Sequence, residues 1–355
     1  MRVEFNAYFR AHPSTGSGQY LHHLAAGLSR GFPDLQIVER RPPARLRGNA
    51  GKVLWEQAAW RLSSRGAGPV VRHVPYLAPP LLSANTVVTA HDAIPFVLAS
   101  YRAGLPQRLY GLVVRLGLRR TRFVIADSHA TAADLIRNLG VPARRVRVIH
   151  LGVDGRFRPD LQNASRRVRA DYALPNRFAL YLGSLDARKN LGVLLGAWPQ
   201  VWRDTAVGLV VAGRSPARSS RVFVDWFRGL DADAAPWLRV LGPVAERDKP
   251  GLYHAASLFV FPSRYEGFGL EPLEAMACGV PVLAADASSL PEVVGDAGVL
   301  IAPDDATGWQ TTATRILSDA ALAQRLRAQG IVRAGEFGWD RTAAATHRVY
   351  LEAAS

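Results

Sequence analysis

Short apolar runs alternate with stretches of helical periodicity along most of the chain. Strands of a parallel sheet buried on both faces read as short β-branched runs, whereas a packed helix repeats its apolar residues three and four positions apart. Strands separated by helices pair in parallel, so the alternation predicts a layered α/β architecture. In the first part of the chain it predicts strands at 3–5, 37–38, 70–76, 86–91, 123–127 and 146–151, and helices at 18–29, 53–61, 106–119 and 130–139.

The alternation breaks between residues 155 and 176, a polar, arginine-rich segment containing prolines that is typical of a linker. We therefore predict two α/β domains, residues 1–160 and 161–340, and a helix at 341–355 that packs back toward the first domain. The second domain is predicted to contain strands at 178–183, 207–213, 237–242, 258–262, 280–285 and 299–301, and helices at 190–202, 221–227, 246–256, 272–277, 306–336 (as two) and 341–353.

The composition is that of an ordinary globular protein with a large positive charge. Of the 355 residues, 48% are apolar and 21% are charged, which excludes wholesale disorder. The net charge of +15 favours nucleic acid, an anionic membrane surface or phosphorylated substrates as partners. Only three of the 44 basic residues are lysine, a bias that a GC-rich genome also produces, so charge alone does not choose among these partners.

Three features of the sequence bear on its compartment. The single cysteine, Cys278, cannot form an internal disulfide, which fits a reducing environment. The first residues lack the charged leader and apolar run of a signal peptide, and no stretch approaches the ~20 apolar residues of a membrane span. We expect a soluble, cytoplasmic protein, with peripheral contact to an anionic membrane as an open alternative.

The most specific chemistry follows the predicted strand at 258–262. The glycine loop 267–269 leads into a helix that tolerates Pro272 in its first turn. Glycine allows a ligand close to the backbone, and free amides at a helix start attract anions. Glu266 and Glu274 flank the loop, and carboxylates accept hydrogen bonds from the vicinal hydroxyls of a sugar. A solvated loop residue and a capping glutamate would explain each carboxylate alone, but the combination indicates a sugar-phosphate site.

This Glu-x7-Glu motif, with Gly-Phe-Gly-Leu-Glu-Pro inside it, resembles family 4 of the retaining nucleotide-sugar glycosyltransferases. The resemblance covers nearly the whole chain, and it continues in residues 181–191, 210–213 and 288–294. It implies the GT-B fold, in which two Rossmann-like domains face each other across an interdomain cleft. It also implies transfer of a hexose from a nucleoside diphosphate, and the subfamily likeness to bacterial mannosyltransferases of polysaccharide assembly favours GDP-mannose.

The resemblance carries roles onto individual residues. Glu266 is expected to hold the hydroxyls of the sugar ring and Glu274 the ribose, while Arg188 and Lys189 neutralise the departing pyrophosphate. An exposed basic pair in a turn is the alternative for these two cations. The predicted catalytic residues are His91, Arg188, Lys189 and Glu266, and the predicted donor-binding residues are Gly16, Ser17, Gly18, Gly213, Val244, Gly267, Phe268, Gly269, Leu270 and Glu274.

In the first domain, residues 15–20 resemble the glycine loop of the family, but Gln19 replaces the usual arginine. Any phosphate contact there must come from backbone amides. His91 and Asp92 resemble the family's His-Asp pair. By their chemistry, we expect the histidine to hydrogen-bond the transferred sugar and the aspartate to orient or deprotonate the acceptor hydroxyl. A histidine at the strand end beside a turn aspartate is the alternative. Asp127-Ser128-His129 closes the next strand as the family's serine-containing turn does, and capping of the following helix by Ser128 is an equal alternative.

No cofactor or metal site is convincing. Neither glycine loop has the third glycine of a dinucleotide fingerprint, and Asp231 and Asp233 stand in a polar loop rather than after a buried strand. We expect catalysis without metal or cofactor. No nucleic-acid-binding motif accompanies the positive charge, so we expect no nucleic-acid partner, and an epimerase or phosphorylase of the same fold is the alternative enzyme.

The acceptor is not specified beyond a hydroxyl of a saccharide, a lipid-linked or a small molecule. Residues 107–122 mix apolar residues with arginines, as helices at membrane interfaces do. The same pattern describes a core-packed helix with a solvated face, which we favour. For the basic loop 40–47 three alternatives stay open: it binds a phosphate, it contacts a membrane, or it has no partner.

Overall fold

The computed structural model describes residues 1–12, 15–46, 49–59, 70–81, 85–101, 104–230 and 235–355. These form two compact units, Met1–Gly152 with Phe337–Ser355, and Val153–Glu336. The strands are β1 (Arg2–Asn6), β2 (Gln36–Arg40), β3 (Val70–Val74), β4 (Thr86–Ala90), β5 (Phe123–Ala126), β6 (Val146–Val148), β7 (Phe178–Leu182), β8 (Gly208–Ala212), β9 (Leu238–Gly242), β10 (Leu258–Phe261), β11 (Val282–Ala285) and β12 (Val299–Ile301).

The helices connect these strands in the predicted alternation. No helix in the described ranges combines the length and the apolar character that crossing a bilayer requires. The helices are α1 (Gly16–Gly31), α2 (Asn49–Leu54), α3 (Ile94–Val97), α4 (Leu105–Leu118), α5 (His129–Leu139), α6 (Gln162–Asp171), α7 (Leu191–Thr205), α8 (Lys249–Ala255), α9 (Leu270–Ala277), α10 (Leu290–Val294), α11 (Ala306–Ser318), α12 (Ala320–Ala334) and α13 (Trp339–Ala354).

The first unit is built on a parallel six-stranded sheet with the order β2-β1-β3-β4-β5-β6. The C-terminal helix α13 completes this unit by packing on α1. Tyr350 of α13 is fully buried, and its hydroxyl lies 2.6 Å from Nδ1 of His73 on β3. The end of the chain therefore contributes to the core of the first sheet.

The second unit holds a parallel six-stranded sheet with the order β12-β11-β10-β7-β8-β9. The apolar residues of β7, β10 and β11 are buried throughout, as expected for strands covered on both faces. The strand order reverses between β7 and β10, which are neighbours. Ligands of such sheets bind at the carboxyl edge of this reversal point.

The units divide at 152/153 and 336/337 rather than at the predicted 160/161 and 340/341. Residues 153–160 belong to the second unit because they pack on α8. The ring of Phe157 lies 5.9 Å from that of Tyr253, and the carbonyl of Pro159 lies 3.1 Å from Nε2 of His254. At the other boundary the ring of Phe337 lies 5.6 Å from that of His150 in the first unit.

Two local predictions were wrong. Residues 155–176 are not an open linker, because they contain α6, which packs on α8 and is tied to it by Arg167 and Asp248, 2.6 Å apart. Residues 221–227 form turns instead of a helix. They lie against the loop after β7, where Ala187 donates its amide to the carbonyl of Val222 and Trp226 donates to the carbonyl of Leu185.

Candidate active site

The loops after β7 and β10 meet at the reversal point of the second sheet. β7 leads into a single helical turn, Ala187–Lys189, and β10 leads through Glu266 into α9. The amide of Arg264 donates to the carbonyl of Arg188 over 2.8 Å and joins the two loops. The structure thereby brings Arg188, Lys189 and Glu266, predicted from separate motifs, into one cluster.

Glu266 lies at the centre of this cluster. Its Oε1 is 2.7 Å from Nζ of Lys189 and 2.7 Å from Nη1 of Arg188, and it accepts a 2.5 Å hydrogen bond from Ser263. Burial opposes ionisation of Glu266, but the charges of Lys189 and Arg188 hold its pKa below the ordinary value. Glu266 is therefore a buried carboxylate with a fixed orientation.

Arg188 and Lys189 each make further contacts besides those with Glu266. Nζ of Lys189 lies 3.1 Å from Oε1 of Glu271 and 4.4 Å from the ring centre of Phe261, and only 2% of the residue is exposed. Nη1 of Arg188 donates to the carbonyl of Tyr265 over 2.9 Å. In the described structure both cations orient Glu266. The alternative, an exposed basic pair in a turn, does not apply, because the side chains of Arg188 and Lys189 are largely buried.

Serines of the 288–294 motif support the glycine loop. Ser289 donates to the carbonyls of Glu266 and Phe268 over 3.0 and 2.6 Å, and the amide of Glu266 donates to Ser288. Gly269 has φ of +110°, and an added Cβ would lie 2.8 Å from Leu290. The loop carries Gly267 and Phe268 to the start of α9 at Leu270, where, within the described ranges, no side chain caps the helix.

Glu274 lies farther along α9, one helical turn after Glu271, the residue that pairs with Lys189. It is buried, and its Oε2 accepts a 3.0 Å hydrogen bond from the hydroxyl of Tyr253. Burial, opposed by the charge of Lys249, raises the pKa of Glu274 to about 8. Glu274 is consequently protonated at neutral pH, unlike Glu266, and can donate as well as accept a hydrogen bond.

Gly213, directly after β8, allows the ends of two neighbouring strands to approach closely. Gly213 has φ of +147°, and an added Cβ would lie 1.7 Å from the carbonyl oxygen of Gly183. Its amide donates to the carbonyl of Gly242 over 2.8 Å. Gly213 is thus required by the backbone of the sheet edge itself, and the half-buried Val244 follows in the turn after β9.

In the first unit the predicted glycine loop begins α1. The side chain of Thr15 caps this helix by accepting the amide of Gly18 over 3.2 Å, so that amide already has a partner. A Cβ on Gly18 would lie 2.1 Å from the carbonyl oxygen of His12, whereas one on Gly16 would meet nothing. Packing therefore explains Gly18, while Gly16 and the half-exposed Ser17 leave room for a ligand.

His91 is held between two acceptors. Its Nδ1 lies 2.7 Å from Oδ2 of Asp127, and its Nε2 lies 3.1 Å from the carbonyl oxygen of Pro75. An imidazole donates from both nitrogens only when it is protonated on both. Burial alone would lower the pKa of His91, but the charge of Asp127, the hydrogen bond to it and the charge of Asp92 raise the pKa above its ordinary value.

The neighbours of His91 have distinct roles. Asp92 accepts the amide of Ile94 over 3.0 Å and so forms the turn before α3. Ser128 caps α5 by accepting the amide of Thr131 over 3.0 Å, which was the structural alternative for this residue. The sequence predicts no specific role for Asp127, and the structure makes it the partner of His91.

Some predicted features lie outside the described residues. These are Asp231 and Asp233, the considered metal ligands, together with Arg47 of the basic loop and the end of the predicted helix at 53–61. Metal-independent catalysis accordingly stays a prediction. So do the ligand contacts of the residues placed above.

Two family models match the chain, one in each half. Residues 15–156 match Glycosyltransferase Family 4, and residues 176–319 match Glycosyl transferases group 1. The second match contains the whole Glu266 cluster, and the first contains His91 and Asp127.

Curated relatives and solved structures agree with these matches. The chain is 32% identical to O-antigen chain mannosyltransferase B of Escherichia coli over 295 residues, which are 82% of this chain and 76% of that protein. It is 29% identical to the serotype-specific mannosyltransferase WbdA of Escherichia coli over 73% of this chain, but spans only 32% of that longer protein. Sucrose-phosphate synthase from Thermosynechococcus elongatus has a similar fold, with a TM-score of 0.75 at 21% identity, covering 99% of this chain and 98% of that one.

Proposed function

The chain belongs to glycosyltransferase family 4 and has two Rossmann-like domains of the GT-B type, and from this we propose that it is a retaining mannosyltransferase. The proposed donor is GDP-mannose, and the acceptor is a hydroxyl of a saccharide, a lipid-linked or a small molecule. The similarity to O-antigen mannosyltransferases of Escherichia coli supports mannose as the transferred sugar.

The buried cluster around Glu266 is the observation that carries this proposal. Its carboxylate lies at the reversal point of the second sheet, where ligands of such folds bind, and Lys189 and Arg188 fix its position. A fixed carboxylate accepts hydrogen bonds from sugar hydroxyls and stabilises the positive charge of an oxocarbenium-like transition state. The enzyme then contributes positioning and electrostatics to the departure of the nucleoside diphosphate.

A thermal-shift panel of GDP, UDP, ADP and TDP tests the donor base. A nucleotide at 100 times its dissociation constant stabilises the folded protein by about 2.7 kcal/mol, and we expect the largest shift with GDP. A larger shift with UDP would contradict the proposed donor. The substitution Glu274→Ala should weaken GDP binding, whereas Glu336→Ala, an exposed glutamate on the same unit, should not.

Product analysis tests the reaction itself. Nuclear magnetic resonance of the product should show the anomeric configuration of the donor sugar preserved, and inversion would exclude a retaining enzyme. Turnover should be unchanged by chelation with EDTA. Activity that is lost on chelation and restored by Mg²⁺ would contradict metal-independent transfer.

A further inference from the structure

The first unit contains a cavity of about 500 Å³ between the turn after β4 and helix α4. Most of its wall is apolar and aromatic, with Phe96, Tyr110 and Leu112 among the lining side chains. Asp92 also lines it, and this residue directly follows His91 at the carboxyl edge of β4. The cavity therefore extends from the predicted acceptor side of the fold to the surface of α4.

The outer face of α4 continues this apolar wall. Leu109, Leu112 and Leu116 are 57%, 53% and 43% exposed, and their spacing places them on one side of the helix. Val114 and Leu118 are buried on the other side. The core-packed helix with a solvated face that we favoured from sequence accounts only for the inner side, because leucines occupy the outer one.

Apart from Asp92 at one end of the cavity, the charges that line it are positive. Between Asp92 and Asp127 the sequence contains six arginines and no acidic residue. Two of the arginines, Arg108 and Arg115, line the cavity. Arg115 is held in place by a 3.0 Å hydrogen bond to the carbonyl of Asn138 and lies 5.9 Å from the ring of Phe96. Apolar walls beside two cations match a molecule that joins a hydrocarbon chain to a phosphate.

We propose that this cavity binds the hydrocarbon chain of a lipid-linked, phosphate-bearing acceptor, with the phosphate at the arginines and the sugar end toward Asp92. This inference rests on the proposed function and selects one of its acceptor classes. Leu112 belongs both to the cavity and to the exposed stripe, so a chain longer than the cavity continues along Leu109 and Leu116.

Isothermal titration with farnesyl diphosphate tests the cavity, with saturating GDP present to occupy the donor site. We expect the wild-type protein to bind it, and Leu112→Glu to weaken binding about tenfold or more, the effect of losing one buried leucine contact. Arg108→Gln should weaken binding of farnesyl diphosphate but not of farnesol. Leu351→Glu, a similarly exposed leucine on α13, is the matched control and should bind like the wild type.

Three results would overturn the proposal. The first is equal binding by the wild type and Leu112→Glu. The second is binding that only Lys189→Ala abolishes, which would place the ligand at the donor site. The third is no binding of farnesyl diphosphate while the leucine stripe mediates either sedimentation with phosphatidylglycerol vesicles or self-association in light scattering.

The thermal shift with GDP, recorded on the same samples, distinguishes failure of the cavity proposal from failure of the proposed function. A GDP shift without farnesyl diphosphate binding contradicts the cavity proposal alone. Farnesyl diphosphate binding without any nucleotide shift contradicts the proposed function and leaves the cavity as a site for anionic amphiphiles.

Discussion

Glu266 and Lys189 form a buried ion pair in which Oε1 and Nζ lie 2.7 Å apart. Glu266 is 7% exposed and Lys189 is 2% exposed, so water screens neither charge well. A buried charge that loses its partner is costly, because desolvation is no longer offset. The pair consequently links the stability of the second unit to its proposed chemistry.

The substitution Lys189→Met keeps the aliphatic stem and removes the charge. We expect the free energy of unfolding to fall by about 2 kcal/mol, less than for a fully isolated charge because Arg188 still pairs with Glu266. Turnover should fall about 100-fold with every acceptor. Urea unfolding and steady-state rates provide the measurements. Lys249→Met, which removes a more exposed pair with Glu246, should change stability by less than about 1 kcal/mol; equal effects of the two substitutions would refute the assignment.

The raised pKa of Glu274, about 8, predicts that this residue lowers the free energy of unfolding by an amount that depends on pH. Below pH 4.5 the carboxyl is protonated in both the folded and the unfolded chain, and it costs nothing. As pH rises from 4.5 to about 8, the unfolded chain ionises while the folded one holds its proton. The cost to stability therefore grows with pH by up to about 1.4 kcal/mol per unit.

Replacing Glu274 by glutamine removes this cost. The stability of Glu274→Gln relative to the wild type should increase between pH 5 and pH 8 in urea unfolding. Exposed Glu336→Gln is the control and should run parallel to the wild type. A constant difference between Glu274→Gln and the wild type would show that the carboxyl ionises normally.

The pairing of His91 with Asp127 predicts a measurable titration. Asp127→Asn removes the charge that contributes most to raising the pKa of His91, so this pKa should fall. Asp92→Asn should lower it less. Nuclear magnetic resonance of the labelled ring measures both, with His91→Gln to assign the signal. A neutral His91 in the wild-type protein at pH 6.5 would show that the ring donates from only one nitrogen.

Substituting alanine at Gly213 and at Gly196 compares a glycine required by close backbone contact with one that is not. A Cβ at Gly213 would lie 1.7 Å from the carbonyl oxygen of Gly183, whereas one at Gly196, on the exposed side of α7, would meet nothing. Gly213→Ala should destabilise the protein by more than about 3 kcal/mol. Gly196→Ala should stabilise it by up to about 1 kcal/mol. Tolerance of alanine at both positions would contradict this explanation of Gly213.

Most of the fold could be predicted because parallel strands buried on both faces leave an unambiguous pattern. Every predicted strand is present, and β12 has the predicted bounds, residues 299–301. The wrong predictions concern segments whose secondary structure is determined by tertiary contacts rather than by the local sequence. α6 is a polar helix whose few buried residues, such as Val168, pack on α8, so its sequence resembles a linker. Residues 221–227 have helical spacing but turn toward the loop after β7.

The candidate site could be predicted in part for the same reason. Arg188, Lys189 and Glu266 follow strands that are neighbours, and the carboxyl ends of parallel strands meet at one edge. That both cations pair with Glu266 depends on side-chain geometry, which spacing does not contain. The His91–Asp127 pair was readable once the strand order was known. Ala90 and Ala126 are register partners on β4 and β5, and the two site residues are the next along each strand.

The contribution of α13 to the first unit has a consequence for biosynthesis. Residues 153–336 form a contiguous unit, which can acquire its structure as soon as it leaves the ribosome. The contact between His73 and Tyr350 cannot form until Tyr350 has been synthesised, almost three hundred residues later along the chain. The unit that is begun first is therefore completed last, and the surface that α13 covers stays exposed until that helix has been made.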